Sequence, residues 1–431
     1  MTLPGSCTAH DRRHADRARE SSSPRPVTLL VSVSSLAPAS PTAGTSPDSA
    51  TTDGYNPLFF TTKVSFPWSS RISATRIIPG EATPSPHFQH LNDENSRLTP
   101  AATTRAGLDF DAVLRTYEAV SRVLPETPAW SYPLLNAKAG VKVTVKHENV
   151  QPTGAFKVRG GVALMATLSP EERRRGVVTA STGNHAQSLA WAGARSEVPA
   201  TVVVPVGAPA RKVAAVRALG ARVVVEGETM CESLAHAEAL SLAEGMRMVS
   251  PGDEPAIVLG HATVYLELFR RHPGLEAVYA PVGSGSGAAG ACLVRDALVP
   301  GCRVIGVQSS AAPAAHRAWR SGEPATVHSR TRAAGLAVGA SFALTQSVLG
   351  RSLNDFILVD DEAIQGAVGL MATHAHTLAE GAGAASLAGL MADPARQGPC
   401  AIVCTGGNAD DHELAGISAG AGVGTDATLS C

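Results

Sequence analysis

No long hydrophobic run occurs in this 431-residue chain. A membrane-spanning helix needs about 18 or more consecutive apolar residues, so no membrane partner is expected. Aromatic residues are scarce at 4%, and the formal net charge is only −1, with 17% charged residues. Nucleic-acid surfaces use basic stripes, often interleaved with aromatics, and none is visible, so that partner is set aside as well. The seven cysteines (Cys7, Cys231, Cys292, Cys302, Cys400, Cys404 and Cys431) show neither CxxC nor Cys/His metal spacing. An odd, irregular set in a chain this long reads as reduced thiols in the cytoplasm, not as a disulfide framework. The apolar stretch 27–37 follows a leader carrying Asp11, Asp16 and Glu20, which suits neither a secretory nor a transit peptide.

What is present divides into two textures. Residues 1–105 are rich in Ser, Thr, Pro and Arg, with Pro24, Pro26, Pro38, Pro41, Pro47 and Pro57 breaking any period. Such a stretch buries too little apolar surface to offset its ordering entropy, and reads as a disordered low-complexity extension. From Phe110 the pattern becomes regular. A helix is expected over 110–124 and an alternating strand over 141–145. Further strands are expected at 177–179, 200–204, 222–225, 277–282, 303–307, 356–359 and 401–404. Helices are expected between them, at 212–219, 233–242, 361–373 and 384–391. Short apolar strands alternating with helices indicate an α/β fold with largely parallel sheets covered on both faces. The Ala/Gly-rich segment 416–431 reads as a flexible tail.

Four motifs stand at strand-to-loop or strand-to-helix junctions, where α/β sheets place their ligands. The first, Thr153-Gly154-Ala155-Phe156-Lys157-Val158-Arg159-Gly160, puts a lysine at a glycine-marked turn into a helix. A lysine held in a partly desolvated position becomes neutral, and so nucleophilic, near pH 7. The second, Ser181-Thr182-Gly183-Asn184-His185, opens a helix whose N–H groups could hold a carboxylate. Simple capping by Ser181 or Thr182 would account for the same residues without a ligand. The third runs Gly283-Ser284-Gly285-Ser286-Gly287 after an apolar strand. Residues this small let the backbone approach a phosphate at a helix N-terminus, although many such loops are only tight turns. The fourth, Thr405-Gly406-Gly407-Asn408, ends the last strand and offers a neutral hydroxyl.

In this order and spacing the four motifs resemble the pyridoxal-phosphate (PLP) enzymes of the tryptophan-synthase-β fold (fold type II), closest to the threonine/serine ammonia-lyase and serine racemase branch. The resemblance covers about residues 109–414 and includes Lys146-His147-Glu148-Asn149-Val150-Gln151-Pro152 and Glu380-Gly381-Ala382-Gly383-Ala384. It implies two three-layer αβα domains with mainly parallel twisted sheets and PLP in the cleft between them. The large domain would comprise 106–175 and 254–415, and the small substrate-loop domain 176–253. By resemblance, Lys157 forms the Schiff base and later moves the Cα proton, while Phe156 lies against the cofactor. Asn184 bonds the ring hydroxyl, and Ser181, Thr182, Gly183 and His185 hold the substrate carboxylate. Gly283, Ser284, Gly285, Ser286 and Gly287 cradle the phosphate, and Thr405 faces the pyridine nitrogen. A neutral partner there makes the ring a weaker electron sink, which suits β-elimination. The implied reaction removes the β-hydroxyl of threonine, serine or a related amino acid, giving a 2-oxo acid and ammonia. A hydroxyectoine-derived or hydroxyaspartate-like substrate, or PLP binding without turnover, are the alternatives. A homodimer is implied by the family alone.

Departures from the family pattern narrow the expectation. Thr182 stands where racemases use a serine, which disfavours racemisation. Gln308 and Ala314 replace carboxylates that ligate a metal in some relatives, so no divalent-cation site is expected. Ala155 and Ala334 replace a common Ser and a common Asp. His185 after Asn184 argues against cysteine synthases, which place Thr there.

Overall fold

The structure, a computed structural model, describes residues 61–64, 72–75 and 107–420. The chain divides into two units, Met1–Ser96 and Arg97–Cys431. In the first, β1 (Thr61–Val64) and β2 (Ile72–Thr75) form an antiparallel pair. The reading of residues 1–105 as lacking strand period does not anticipate this pair, and the remainder of that stretch lies outside the described residues.

The second unit carries ten strands among its described residues: β3 (Ala129–Ser131), β4 (Val143–His147), β5 (Val177–Ala180), β6 (Ala200–Val204), β7 (Arg222–Val225), β8 (Arg247–Met248), β9 (Ala277–Pro281), β10 (Arg303–Ser309), β11 (Asp355–Val359) and β12 (Cys400–Cys404). They form a six-stranded sheet of order β11-β10-β9-β12-β4-β3 and a four-stranded sheet of order β7-β6-β5-β8. Every pairing is parallel except that of β3 with β4. Helices connect the parallel strands, so the mainly parallel α/β class read from the sequence is the one observed. All five residues of β4, β6, β9 and β12 are buried, as expected of strands covered on both faces.

Local chemistry fixes several helix starts. Asp109 accepts a hydrogen bond from the Ala112 N–H at 2.7 Å and caps helix Phe110–Ser121. Ser169 and Glu172 form a reciprocal capping box at the start of Pro170–Arg175. Asp360 caps Asp361–His374 through the Ala363 N–H. Small residues set the layer spacing. Helix Gly381–Ala392 packs on the six-stranded sheet, where a Cβ on Gly389 would lie 2.3 Å from Val307 Cγ2. One core cluster joins Val177 and Val202 of the four-stranded sheet to Val120, Leu124, Val158, Leu164 and Ile257. The core of the smaller sheet therefore draws on residues outside 176–253.

Two differences from the sequence reading are local. The strand expected over 141–145 is β4, two residues further on, because Lys146 and His147 are buried within it. The tail expected from residue 416 is helical as far as Gly420 in Asp411–Gly420, while 421–431 lie outside the described residues. Among the described residues no helix is long and apolar enough to cross a membrane.

Candidate active site

Lys157 is the first residue of helix Lys157–Thr167, reached from β4 through a short 3-10 turn, Glu148–Val150. The preceding loop is fastened to the end of β12. Phe156 N–H donates to the Thr405 carbonyl at 2.9 Å, Gly407 N–H donates to the Gly154 carbonyl at 2.9 Å, and Ala155 bridges Gly406. The Asn408 amide adds a bond to the Thr153 carbonyl at 2.9 Å. Motifs some 250 residues apart in sequence are thus held by backbone bonds, whose geometry varies little with side chain.

The Lys157 amine points at the glycine-serine loop, with Nζ 3.3 Å from Ser286 Oγ and 3.5 Å from Ser284 Oγ. It also lies 5.1 Å from the Phe156 ring centroid. Burial pushes its pKa down to about 8. About a quarter of such an amine is neutral near pH 7.5, a far larger share than for an exposed lysine. Desolvation alone therefore moves the amine toward its neutral form.

The loop itself is shaped to admit something large and anionic. Gly285 has φ +86°, a left-handed conformation that glycine adopts without a Cβ clash. A Cβ on Gly283 would lie 2.4 Å from the Gly335 carbonyl, and one on Gly287 3.2 Å from Phe156 Cε2. Ser284 is held by donation to the Pro251 carbonyl at 2.9 Å. Ser286 begins helix Ser286–Leu298, whose first N–H groups have no partner within the helix, and the Ser284 and Ser286 hydroxyls face the Lys157 amine. Small residues, hydroxyls and a helix N-terminus together are a donor set that can hold a phosphate.

Asn184 begins helix Asn184–Arg195. Its Nδ2 donates to Glu380 Oε1 at 2.6 Å and its Oδ1 accepts from Asn408 Nδ2 at 2.8 Å. An amide nitrogen has two hydrogens, so one remains for a ring oxygen. Glu380 is buried, and its pKa is pushed up to about 7, first by burial and then by the neighbouring charge of Glu413, against the Asn184 bond. Ser181 Oγ accepts from the Gly183 N–H at 3.3 Å, an internal loop bond. Ser181, Thr182 and Gly183 are all partly exposed, and a Cβ on Gly183 would meet only open space. The loop therefore has room on its outer side for a substrate group. His185 is buried with neither ring nitrogen in hydrogen-bonding geometry. Burial, then the Lys157 charge, push its pKa down to about 3, with the Val249 backbone opposing, so it is neutral at ordinary pH. Thr405 is buried and donates to the Ala382 carbonyl at 3.1 Å, leaving its oxygen as an acceptor.

The thirteen residues singled out from sequence lie in four segments, 156–157, 181–185, 283–287 and Thr405, and the contacts just described join those segments. Several others were missed. Ser188 donates to the Lys157 carbonyl at 2.6 Å and so fixes the helix that carries the amine. Arg159 is buried between Glu148 and Glu267, with Lys146 completing the cluster. His261 reaches Ser286 at 3.0 Å. A lone histidine in an apolar helix gives no signal of that kind in sequence. Glu380 had only its place beside a glycine run. A surface groove of about 210 Å³, lined by residues including Val204, Pro205, Val213 and Arg217, shares none of these residues.

The family model described as "Pyridoxal-phosphate dependent enzyme" matches residues 120–406. L-threonine ammonia-lyase of Thermotoga maritima is 36% identical over 279 residues, covering 64% of this chain and 70% of that protein. The biosynthetic L-threonine dehydratase of Pasteurella multocida is 34% identical over 297 residues, covering 68% of this chain and 58% of that one. Among solved structures, the processed form of threonine deaminase isoform 2 from Solanum lycopersicum matches with a TM-score of 0.70 and 30% identity, over 76% of this chain and 91% of that chain. The chain belongs to the pyridoxal-phosphate dependent enzyme family, and its cofactor is pyridoxal 5'-phosphate.

Proposed function

We propose that the protein is a PLP-dependent ammonia-lyase that removes the β-hydroxyl of threonine, serine or a related amino acid, releasing a 2-oxo acid and ammonia. The observation that carries this reading is the Lys157 amine, depressed to about 8, facing the Ser284 and Ser286 hydroxyls across a glycine cradle. When bound, the cofactor supplies an electron sink that weakens the substrate Cα–H bond.

The chain's own residues do the rest. Gly283–Gly287 and the start of the following helix hold the phosphate, and Lys157 Nζ makes the covalent attachment. Asn184, steadied by Glu380 and Asn408, presents one Nδ2–H to the ring oxygen. N–H groups of Ser181–His185 receive the substrate carboxylate at a helix N-terminus. Phe156 covers one side of the ring site. Thr405 brings no charge to the ring nitrogen, so the site favours prompt loss of the β-hydroxyl over long retention of charge on Cα. Lys157, once released, is the base placed to hold the Cα proton.

The named relatives act on threonine, and their similarity supports the choice of a β-hydroxy amino acid. We further place the protein in the cytoplasm as a homodimer, with 106–175 and 254–415 as one domain and 176–253 as the other. The test is absorbance followed by a substrate panel. Wild type with PLP should show a visible band that Lys157→Ala lacks, and should release 2-oxo acid from L-threonine or L-serine. A wild type with no such band contradicts cofactor attachment. A band without product from any β-hydroxy amino acid contradicts the lyase reading alone.

A further inference from the structure

His261 lies where three helices meet. Helix Pro255–Arg271 touches the Lys157 helix so closely that a Cβ on Gly260 would lie 2.6 Å from the Arg159 carbonyl. It touches helix Ser286–Leu298 just as closely, since a Cβ on Gly290 would lie 2.8 Å from Ala262 Cα. The His261 ring is wholly buried in this junction, in space left by Gly160, where a Cβ would come within 2.7 Å of Nε2. The Phe156 ring packs on it with centroids 4.4 Å apart. Nδ1 is 3.0 Å from Ser286 Oγ, whereas Nε2 has no hydrogen-bond partner. Ser286 Oγ in turn lies 3.3 Å from Lys157 Nζ and 3.1 Å from Ser284 Oγ.

Burial, followed by the charge of Lys157, keeps the His261 pKa well below the ordinary value, so the ring is neutral. A neutral imidazole has one N–H and one lone pair, and either nitrogen can carry the proton. A serine hydroxyl has a single proton to give. Facing the Lys157 amine, Ser286 Oγ accepts, and its own proton is free for His261 Nδ1. Facing a phosphate oxygen, Ser286 has to give that proton away. It then needs a donor at Nδ1, which the other tautomer provides. The proton lost from Nε2 passes to solvent and the one gained at Nδ1 is taken from solvent as the ligand enters, so the ring stays neutral and its buried site never holds a new charge.

We propose that His261 is a positioning residue for the cofactor phosphate: through Nδ1 it holds the Ser286 hydroxyl, accepting from it when Lys157 is free and donating to it when a phosphate is in the cradle. This rests on Gly283–Gly287 being the phosphate site. Nε2 makes no hydrogen bond of ordinary geometry, so a change of tautomer breaks no well-formed second bond there.

The experiment uses the full chain, freed of cofactor and labelled with ¹⁵N at histidine. It is titrated with PLP and, separately, with inorganic phosphate. The ring signals that disappear in His261→Gln identify His261. Both ligands should convert its Nδ1 shift from the lone-pair type to the N–H type. A ring that keeps one tautomer throughout overturns the proposal. Affinity gives a second readout. His261→Phe should weaken PLP binding about tenfold, the size of one lost hydrogen bond. His261→Gln, whose amide can both donate and accept, should stay within about threefold. In a Ser286→Ala background His261→Phe should add nothing. Equal weakening in both backgrounds, or a Gln variant as weak as Phe, would indicate packing alone and sink the idea. Should the Phe variant not fold, the labelled titration and the Gln variant still decide. If wild type binds neither ligand, the cradle reading falls with it; if wild type binds and the His261 ring does not change, this inference alone falls.

Discussion

Arg159→Met is the most exacting test of how the Lys157 helix is held. The guanidinium makes five hydrogen bonds, two to Glu148, two to Glu267 and one to Thr263 Oγ1. Lys146 adds a 2.6 Å bond to Glu267, so two cations and two carboxylates balance in a region with almost no solvent. Methionine matches the stem but leaves two buried carboxylates sharing one lysine. Removing one partner of a buried ionic cluster costs about 3–5 kcal/mol, most of it desolvated charge left uncompensated. Thermal unfolding of a domain this size should then fall by roughly 5–15 °C. The pH dependence is more discriminating. In wild type burial alone would raise the Glu148 pKa, but the Arg159 charge and bonds outweigh it and hold it below the ordinary value. That stabilisation is present above the unfolded pKa and is lost only as pH falls through the lower, folded one. It is therefore constant between pH 7.5 and 5.5. In the variant burial of Glu148 is no longer outweighed by Arg159, so its pKa rises and protonation relieves the folded state over that interval. Urea unfolding of cofactor-saturated protein at the two pH values should show the gap to wild type narrowing at pH 5.5. A cost below about 1 kcal/mol, the scale of exposed pairs, or a gap that does not narrow would refute the reasoning.

Other perturbations probe the neighbouring contacts. Glu380 has a folded pKa raised to about 7, so the folded state is favoured at low pH and loses stability as pH climbs from the ordinary carboxylate value through 7. Glu380→Gln should remove that decline, changing the stability difference from wild type by up to about 3 kcal/mol across pH 4.5–8 in chemical unfolding. Gly383→Ala would place a Cβ 2.2 Å from the Gly406 carbonyl, so it should cost about 1–3 kcal/mol and weaken PLP binding, measured by absorbance titration. Gly183→Ala meets only open space, and its unfolding free energy should stay within about 0.5 kcal/mol of wild type, with any effect confined to KM.

The strands were easiest to read where valines run together. Residues 200–204 and 222–225 have the bounds expected of β6 and β7. β4 was misplaced because Lys146 and His147 look like the end of an alternating strand. Lys146 is buried instead by Glu267, 121 residues away, which no local pattern can report. β3 and β8 are too short to show a period. The site motifs were visible because glycine-rich turns leave a local mark. Their couplings were not, since Asn184, Glu380 and Asn408 meet only through the folded backbone. His261 was hidden for the same reason: its meaning comes from Ser286, on another helix.

The position of β12 bears on how the protein is made. It lies between β9 and β4 in the middle of the six-stranded sheet, and its end carries the backbone bonds that shape the loop before Lys157. On the ribosome, residues 143–147 and 277–281 emerge well before 400–404. Until then the growing chain has a gap in its main sheet and two open strand edges, the kind of surface that chaperones shield. The loop ahead of Lys157 gains its last fastening only when β12 is inserted, so on the role proposed for Lys157 covalent capture of the cofactor becomes a late event in the life of the nascent chain.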